Sequence, residues 1–473
     1  MSEPRAPRVS GSSARRSGWP LLELLLHVAV TFSVIFFRSE LEAMSLAALC
    51  NVTTVVALGA AWSIPRTAPR GIWSPSSVYL ITFLLFHVGL TAAFGLGHEP
   101  TGEIGEGARL WLFRPSTKTA LWLTCVGICG FTIGVRLAYL RPPAPHRPGP
   151  NDADLDRFVR FAGVGLTVGG LLAWFAVVLA RGGPALMIGS YSRFLDATGG
   201  SPLPWAYRGI EFGLVLLAAS RWSRGHSVAV GIFVAWSLIA FPLGLRGEIL
   251  FPLFAALAVA AMRRVPMRTS RSLLLAIALL WSVAIIRDLR ATGLESIAEV
   301  ELSATPIDGI AEMGASLRPV SEVVFWHQMG DRFDLGATYW APIDRALFHV
   351  VPGWERLPIE DDDRIMNVLT MKRAGPIGFS PVAEAYRNFS AYGAFFVMML
   401  FGILLGRIDT FPNSRVYQCI AGVVLVTLLS HVRNNFVHVP VQALTGFAMV
   451  ATLVFLARAR EAKQRHAHGA RGE

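Results

Sequence analysis

Apolar residues in this chain gather in long runs separated by short polar turns. The runs lie at about 19–37, 43–64, 76–97, 117–140, 158–180, 203–220, 226–243, 247–264, 271–286, 391–407, 416–431 and 438–457. A helix crosses the hydrocarbon core of a bilayer with roughly 20 such residues. The pattern therefore predicts an all-α polytopic membrane protein of about 12 transmembrane helices. Five regions follow: an N-terminal tail (1–18), helices one to nine (19–286), one large loop (287–390), helices ten to twelve (391–457) and a basic C-terminal tail (458–473). No small-residue cleavage site follows the first run, which reads as a retained helix and not a signal peptide.

Composition agrees with a membrane class. Of 473 residues, 53% are hydrophobic and 16% charged, against about 25% charged in soluble domains. The net charge of +11 does not call for nucleic acid, because cytoplasmic loops of membrane proteins are rich in Lys and Arg. Both tails and the even-numbered turns hold Arg5, Arg15, Arg66, Arg70, Arg141, Arg221, Arg263, Arg407, Arg415 and Arg458, and the short odd-numbered turns far fewer basic residues. That asymmetry places both termini in the cytoplasm and residues 287–390 outside. A loop of this length is uncommon unless functional. Its amphipathic stretch "IDGIAEMGASLRPVSEVVFW" predicts a small, partly helical cap. No internal repeat of broken helices is visible, which counts against a secondary transporter. Cys125 and Cys129 share a helix face without a His or Cys cluster and read as packing.

Charges inside or beside apolar runs are costly and point to function. "GLRGE" places Arg246 and Glu248 in the turn between runs seven and eight. "RDLR" puts Arg287 and Arg290 at the outer end of run nine, "HVRNN" puts Arg433 and Asn434 between runs eleven and twelve, and "YRGIE" puts Arg208 and Glu211 in run six. By the alternation above, all reach the same membrane side. Guanidinium groups suit phosphate oxygens and stay charged at every relevant pH. The alternative is local pairing with Glu211, Glu248 and Asp288. A second constellation is "GFSPVAEAYRNFSAYG": Ser380-Pro381 starts a helix that carries Glu384, Tyr386 and Asn388 toward run ten. Its carboxylate and amide suit sugar hydroxyls if they face the outer cavity. "IEDDDR" reads as a solvated acidic run more readily than a Mg²⁺ or Mn²⁺ site. His327 sits in the loop with the ordinary pKa of a general base, and also reads as structural. Glu23 and His27, one turn apart, read as an intramembrane couple.

Taken in order, "GLRGE", "RDLR", "FDLGATYWAPIDRALFHVVP", "GFSPVAEAYRNFSAYG" and "RNN" resemble the Wzy-type O-antigen polymerases over about residues 190–440. One departure is Ser390, where the family's late element usually has glycine. The resemblance implies a GT-C-like glycosyltransferase bundle in the bacterial cytoplasmic membrane. It would join undecaprenyl-pyrophosphate-linked oligosaccharide repeat units at the outer face, without metal or other cofactor. Donor and acceptor are both lipid-linked, and a flippase and a chain-length regulator are implied neighbours. On this reading Arg246, Arg290 and Arg433 stabilise the leaving pyrophosphate. Arg208, Arg287, Glu211, Tyr386, Asn388 and Asn434 bind substrate. Glu384, Glu248 and His327 each offer a base for the acceptor hydroxyl, and Glu248 alternatively orients Arg246. A ligase-like transferase of finished glycans would share donor and arginines. A lipid or polysaccharide transporter is the reading from another class.

Overall fold

A computed structural model describes residues 19–98, 102–141, 152–263, 267, 269–292, 305–348 and 351–469. Among them the regular structure is helical throughout, with no strand. The long helices are α1 (Trp19–Phe36), α2 (Leu46–Thr67), α3 (Pro75–Gly95), α4 (Pro115–Leu140), α5 (Asp152–Gly182), α6 (Leu203–Ala219), α7 (Arg224–Ala240), α8 (Arg246–Arg263) and α9 (Thr269–Thr292). Four shorter helices follow: α10 (Pro306–Met313), α11 (Leu317–Gln328), α12 (Ala337–Leu347) and α13 (Met366–Ala374). The chain closes with α14 (Pro381–Asp409), α15 (Arg415–His431) and α16 (His438–Gly469). Each apolar run of the sequence falls on one helix. Six of these (α2, α3, α4, α5, α14 and α16) are long and apolar enough to cross a membrane. The apolar stretches of α1, α7, α9 and α15 are shorter.

Local chemistry explains the ends. Pro75, Pro115 and Pro381 occupy the first turn of α3, α4 and α14, where a missing N–H costs nothing. The Ser380 hydroxyl accepts from the Val382 and Ala383 amides at the start of α14. Helices α4 and α14 pack backbone to backbone. A Cβ on Gly130 would stand 2.3 Å from the Phe395 carbonyl oxygen, and one on Gly134 2.1 Å from that of Met399. Small residues four apart are the usual way for membrane helices to approach this closely.

The long loop divides in two. Its first part belongs to the bundle: Leu317, Val320, Val323 and Val324 on α11 are buried in the main apolar core with α3, α4 and α14. The second part, residues 332–363, carries exposed Trp340, Phe348, Trp354, Leu357 and Ile359. The acidic run also differs from a simple solvated loop. Asp362 is buried between Arg345, at 3.2 Å, and Arg364, at 2.8 Å, while Asp361 and Asp363 are exposed. Burial alone would raise the Asp362 pKa, but the Arg364 and Arg345 guanidiniums hold it below the usual carboxylate range.

Helix α14 breaks at Phe389–Ser390. Ser390 has φ 61° and ψ −157°, a region that essentially only glycine occupies without strain. Gly393 serves this break, since a Cβ there would meet the Ala385 carbonyl oxygen of its own helix at 2.1 Å.

Candidate functional site

Helices α6, α8, α15 and α16 meet the end of the long loop around a cavity of about 820 Å³. Its floor and walls come from turns at one end of the bundle: Tyr207, Arg208 and Glu211 on α6, Gly244, Gly247, Glu248 and Phe251 at the α7–α8 turn, Pro376 and Gly378, and residues between Thr427 and Gln442 at the α15–α16 turn, Arg433 among them. The cavity lies where two apolar cores adjoin, one built on α5, α6 and α7, the other on α3, α4, α14 and α15. Five residues singled out from the sequence converge here: Arg208, Glu211, Glu248, Arg433 and Asn434.

Their electrostatic states differ. The Arg208 Nη1 donates to Glu211 Oε2 at 3.0 Å, and the Gln442 amide donates to the same oxygen at 2.6 Å. That carboxylate is therefore held between a cation and an amide. Glu248 and Arg433 form no ion pair among the described residues, although both line the cavity. Arg433 is positioned through its backbone: its carbonyl accepts from the Phe379 amide at 3.0 Å, which ties the α15–α16 turn to the start of α14. Asn434 adds a side-chain bond from Nδ2 to the Ser430 carbonyl at 2.8 Å.

Arg246 is elsewhere. Its side chain is only 4% exposed and pairs with Glu312 of α10 at 2.7 Å. It does not line the cavity, and Glu248 is not its partner. The reason is helical geometry. Two residues apart on α8, Arg246 and Glu248 project to different sides, one to the inserted helix α10 and the other to the cavity. The side chains of Arg287 and Arg290 lie outside the described residues.

The second constellation turns out to be a clamp. Asn388 is fully buried; its Oδ1 accepts from the Gly336 amide at 2.9 Å, and its Nδ2 donates to Thr338 Oγ1 at 2.7 Å and the Glu384 carbonyl at 2.8 Å. Arg387 pairs with Asp334 at 2.9 Å and Asp331 at 2.6 Å. Thus "FDLGATY" and "EAYRNFS" bind each other. Glu384 is buried and does not face the cavity; its Oε2 accepts the Phe436 amide at 2.7 Å, directly after the RNN turn. Tyr386 packs its ring against His327 and Phe333 at centroid distances of 5.4 and 5.7 Å. His327 stacks on Phe333 at 4.2 Å and bonds the Asp331 carbonyl through Nδ1 at 2.8 Å. Burial pushes its pKa down, with the Arg387 charge adding to the effect. It too stands apart from the cavity. Glu23 and His27 do not pair through their side chains. The Glu23 carboxylate meets the buried Arg136 at 2.6 Å, and His27 bonds Ser63 Oγ at 3.0 Å.

The cavity also holds polar residues that charge spacing did not single out: Thr427, His431, Asn435 and Gln442. Their signal in the sequence is the presence of polar side chains in and around the apolar runs of α15 and α16.

A bundle of apolar helices, six of them long and apolar enough to cross a membrane, with a charged cavity at one end, fits a membrane-embedded class of protein. The profile of the family described as O-antigen polysaccharide polymerase Wzy matches residues 210–463, and the chain belongs to that family. The match takes in Glu211, Glu248 and the whole α15–α16 turn. Protein CapE of Staphylococcus aureus is 25% identical over 274 residues, 57% of this chain and 60% of that protein. The chain thus spans well under two thirds of this relative's length. No solved structure matches the chain.

Proposed function

We propose that this protein is a polysaccharide polymerase that joins undecaprenyl-pyrophosphate-linked repeat units, with the 820 Å³ cavity as its reaction site. The observation that carries the reading is Arg433, a guanidinium in a concave site with no carboxylate in ion-pair range among the described residues. An arginine held this way suits the oxygens of a pyrophosphate and keeps its charge throughout.

The chemistry is a single displacement. The terminal hydroxyl of the acceptor unit attacks the anomeric carbon of the donor chain. The anomeric C–O bond breaks, and its electron pair leaves on the lipid pyrophosphate. Arg433 meets that developing charge at a water-poor boundary, where a positioned cation is worth most. The hydroxyl proton passes to Glu248, a cavity carboxylate that Arg433 acts on electrostatically but does not pair with at ion-pair distance among the described residues. Arg208 and Glu211 line the same cavity. Glu384 supports the site from below by holding the RNN turn.

Helix α8 links this chemistry to lipid. Glu248 and Phe251 face the polar cavity, whereas Ile249, Leu250, Leu253 and Leu257 face an apolar groove of about 580 Å³ between α6, α7, α8 and α9. An isoprenoid tail would lie there while its pyrophosphate reaches the cavity. In this account the twelve helices cross the bacterial cytoplasmic membrane as a GT-C-like bundle, with both tails inside and the cavity outside. A flippase would supply the donor and a chain-length regulator would act beside it. A single cysteine at the exposed Glu360 should label from outside in intact cells; labelling only after permeabilisation would reverse the orientation. No metal enters the scheme, and Asp362 of the acidic run is already engaged by two arginines. Chelation should leave turnover within about twofold; abolition with rescue by Mg²⁺ or Mn²⁺ would overturn this part.

The function is tested with the purified protein in nanodiscs and its lipid-linked repeat unit. A ladder of products spaced by one repeat is expected. A single transfer to another acceptor would identify a ligase-like enzyme, and lipid movement without covalent product a transporter.

A further inference from the structure

The cavity has a neutral polar wall as well as a charged one. Thr427 and His431 lie one turn apart on α15, Asn435 follows in the turn, and Gln442 comes from α16. All four are at most 2% exposed. Among the described residues, Thr427 Oγ1, His431 Nε2, both amide atoms of Asn435 and Gln442 Oε1 have no hydrogen-bond partner. Buried polar groups are nearly always satisfied, and each exception asks for an unseen partner. Here five unpartnered atoms belong to four side chains that line one cavity.

Their chemistry specifies the ligand. His431 Nδ1 donates to the Asn434 carbonyl at 3.0 Å, so Nε2 of the neutral ring is an acceptor. Gln442 commits its amide N–H to Glu211, which leaves its carbonyl oxygen as an acceptor. Asn435 offers one acceptor and two N–H donors, and Thr427 a hydroxyl of either sense. None carries a fixed positive charge for phosphate. The mixture matches groups that donate and accept at once, which are hydroxyls. We propose that Thr427, His431, Asn435 and Gln442 form a sugar subsite for the repeat unit, with Asn435 its central specificity residue. The proposal rests on the polymerase reading above and divides the cavity: guanidiniums for pyrophosphate, neutral amides and imidazole for sugar hydroxyls.

Two probes separate the walls. One is the lipid-free repeat-unit oligosaccharide released by mild acid from the lipid-linked intermediate; the other is inorganic pyrophosphate. Binding of each to the full chain in nanodiscs is followed by intrinsic tryptophan fluorescence. Asn435→Ala should weaken the oligosaccharide about tenfold or more, since two hydrogen bonds to buried groups are lost, and leave pyrophosphate within about twofold. Thr427→Val keeps the side-chain shape, guards against misfolding of the first variant, and should weaken the oligosaccharide alone by about fivefold. Arg433→Ala should show the opposite pattern. If Asn435→Ala and Thr427→Val both bind oligosaccharide like the parent, or lose both probes together while folded, the subsite is wrong. Loss of pyrophosphate binding in no variant would count against the arginine reading and leave the sugar wall standing.

Discussion

Arg246 and Arg433 occupy comparable places in the chain. Each lies at a short connection between two apolar helices at the cavity end of the bundle, Arg246 as the first residue of α8 and Arg433 in the α15–α16 turn. Their surroundings are opposite. Arg246 is buried against Glu312, 66 residues away in sequence, while Arg433 is half-buried, lines an 820 Å³ cavity and acts on Glu248 electrostatically without a carboxylate in ion-pair range among the described residues. The difference teaches that an arginine at a membrane edge acquires its role from its partner. Arg246 pins the inserted helix α10 to α8. Arg433 lines the cavity instead.

The comparison breaks most visibly at Arg246. Removing one member of a buried pair strands the other charge and costs about 3–5 kcal/mol. Arg246→Ala should therefore lower the amount of folded protein and its melting temperature. The double variant Arg246→Leu with Glu312→Leu should recover much of that stability, because both charges leave the buried site together. An Arg246→Ala protein as stable as the parent would place this arginine in the functional group after all.

A smaller loss is expected at the clamp. Asn388→Ala leaves the Gly336 amide and Thr338 hydroxyl without their buried partner, at a cost of about 1–3 kcal/mol. The loosened segment around residues 331–339 should become a preferred site of proteolysis. Unchanged protease resistance and melting would show that the two motifs hold together without Asn388. Smallest, and of opposite sign, is Ser390→Gly. Relief of a strained φ of 61° should raise stability by about 1 kcal/mol, read as a higher melting temperature with no loss of polymer. A lower melting temperature would mean that the Ser390 side chain contributes more than its backbone conformation costs.

Much of this architecture is legible in the sequence, because burial in lipid writes itself as uninterrupted apolar runs. Every run falls on a helix, and Ser380-Pro381 marks the start of α14. The convergence of Arg208, Glu211, Glu248 and Arg433 follows from the alternation of turns. What could not be read was pairing across distance. Nothing near "GLRGE" announces Glu312, since that contact depends on α10 folding back into the bundle. The same holds for Glu384 and Asn388, whose residue types suit a sugar site but whose partners are backbone amides of remote segments. The insertion of α11 was masked by its amphipathic pattern, which fits a surface cap equally well. His431 at the end of α15 and Asn435 in the turn after it have no partner that spacing alone reveals.

The central claim is that Arg433, and not Arg246, meets the leaving pyrophosphate. It is tested by polymer synthesis in nanodiscs from the lipid-linked repeat unit, at matched amounts of folded Arg433→Ala, Arg433→Lys and the Arg246→Leu/Glu312→Leu pair. The account predicts a loss on the order of a hundred- to a thousand-fold for Arg433→Ala, about 2.7–4 kcal/mol of transition-state stabilisation. It predicts little rescue by lysine, whose point charge lacks the guanidinium fork, and near-parental turnover per folded molecule for the Arg246 pair. Parental polymer from Arg433→Ala, with abolition in the folded Arg246 pair, would contradict it.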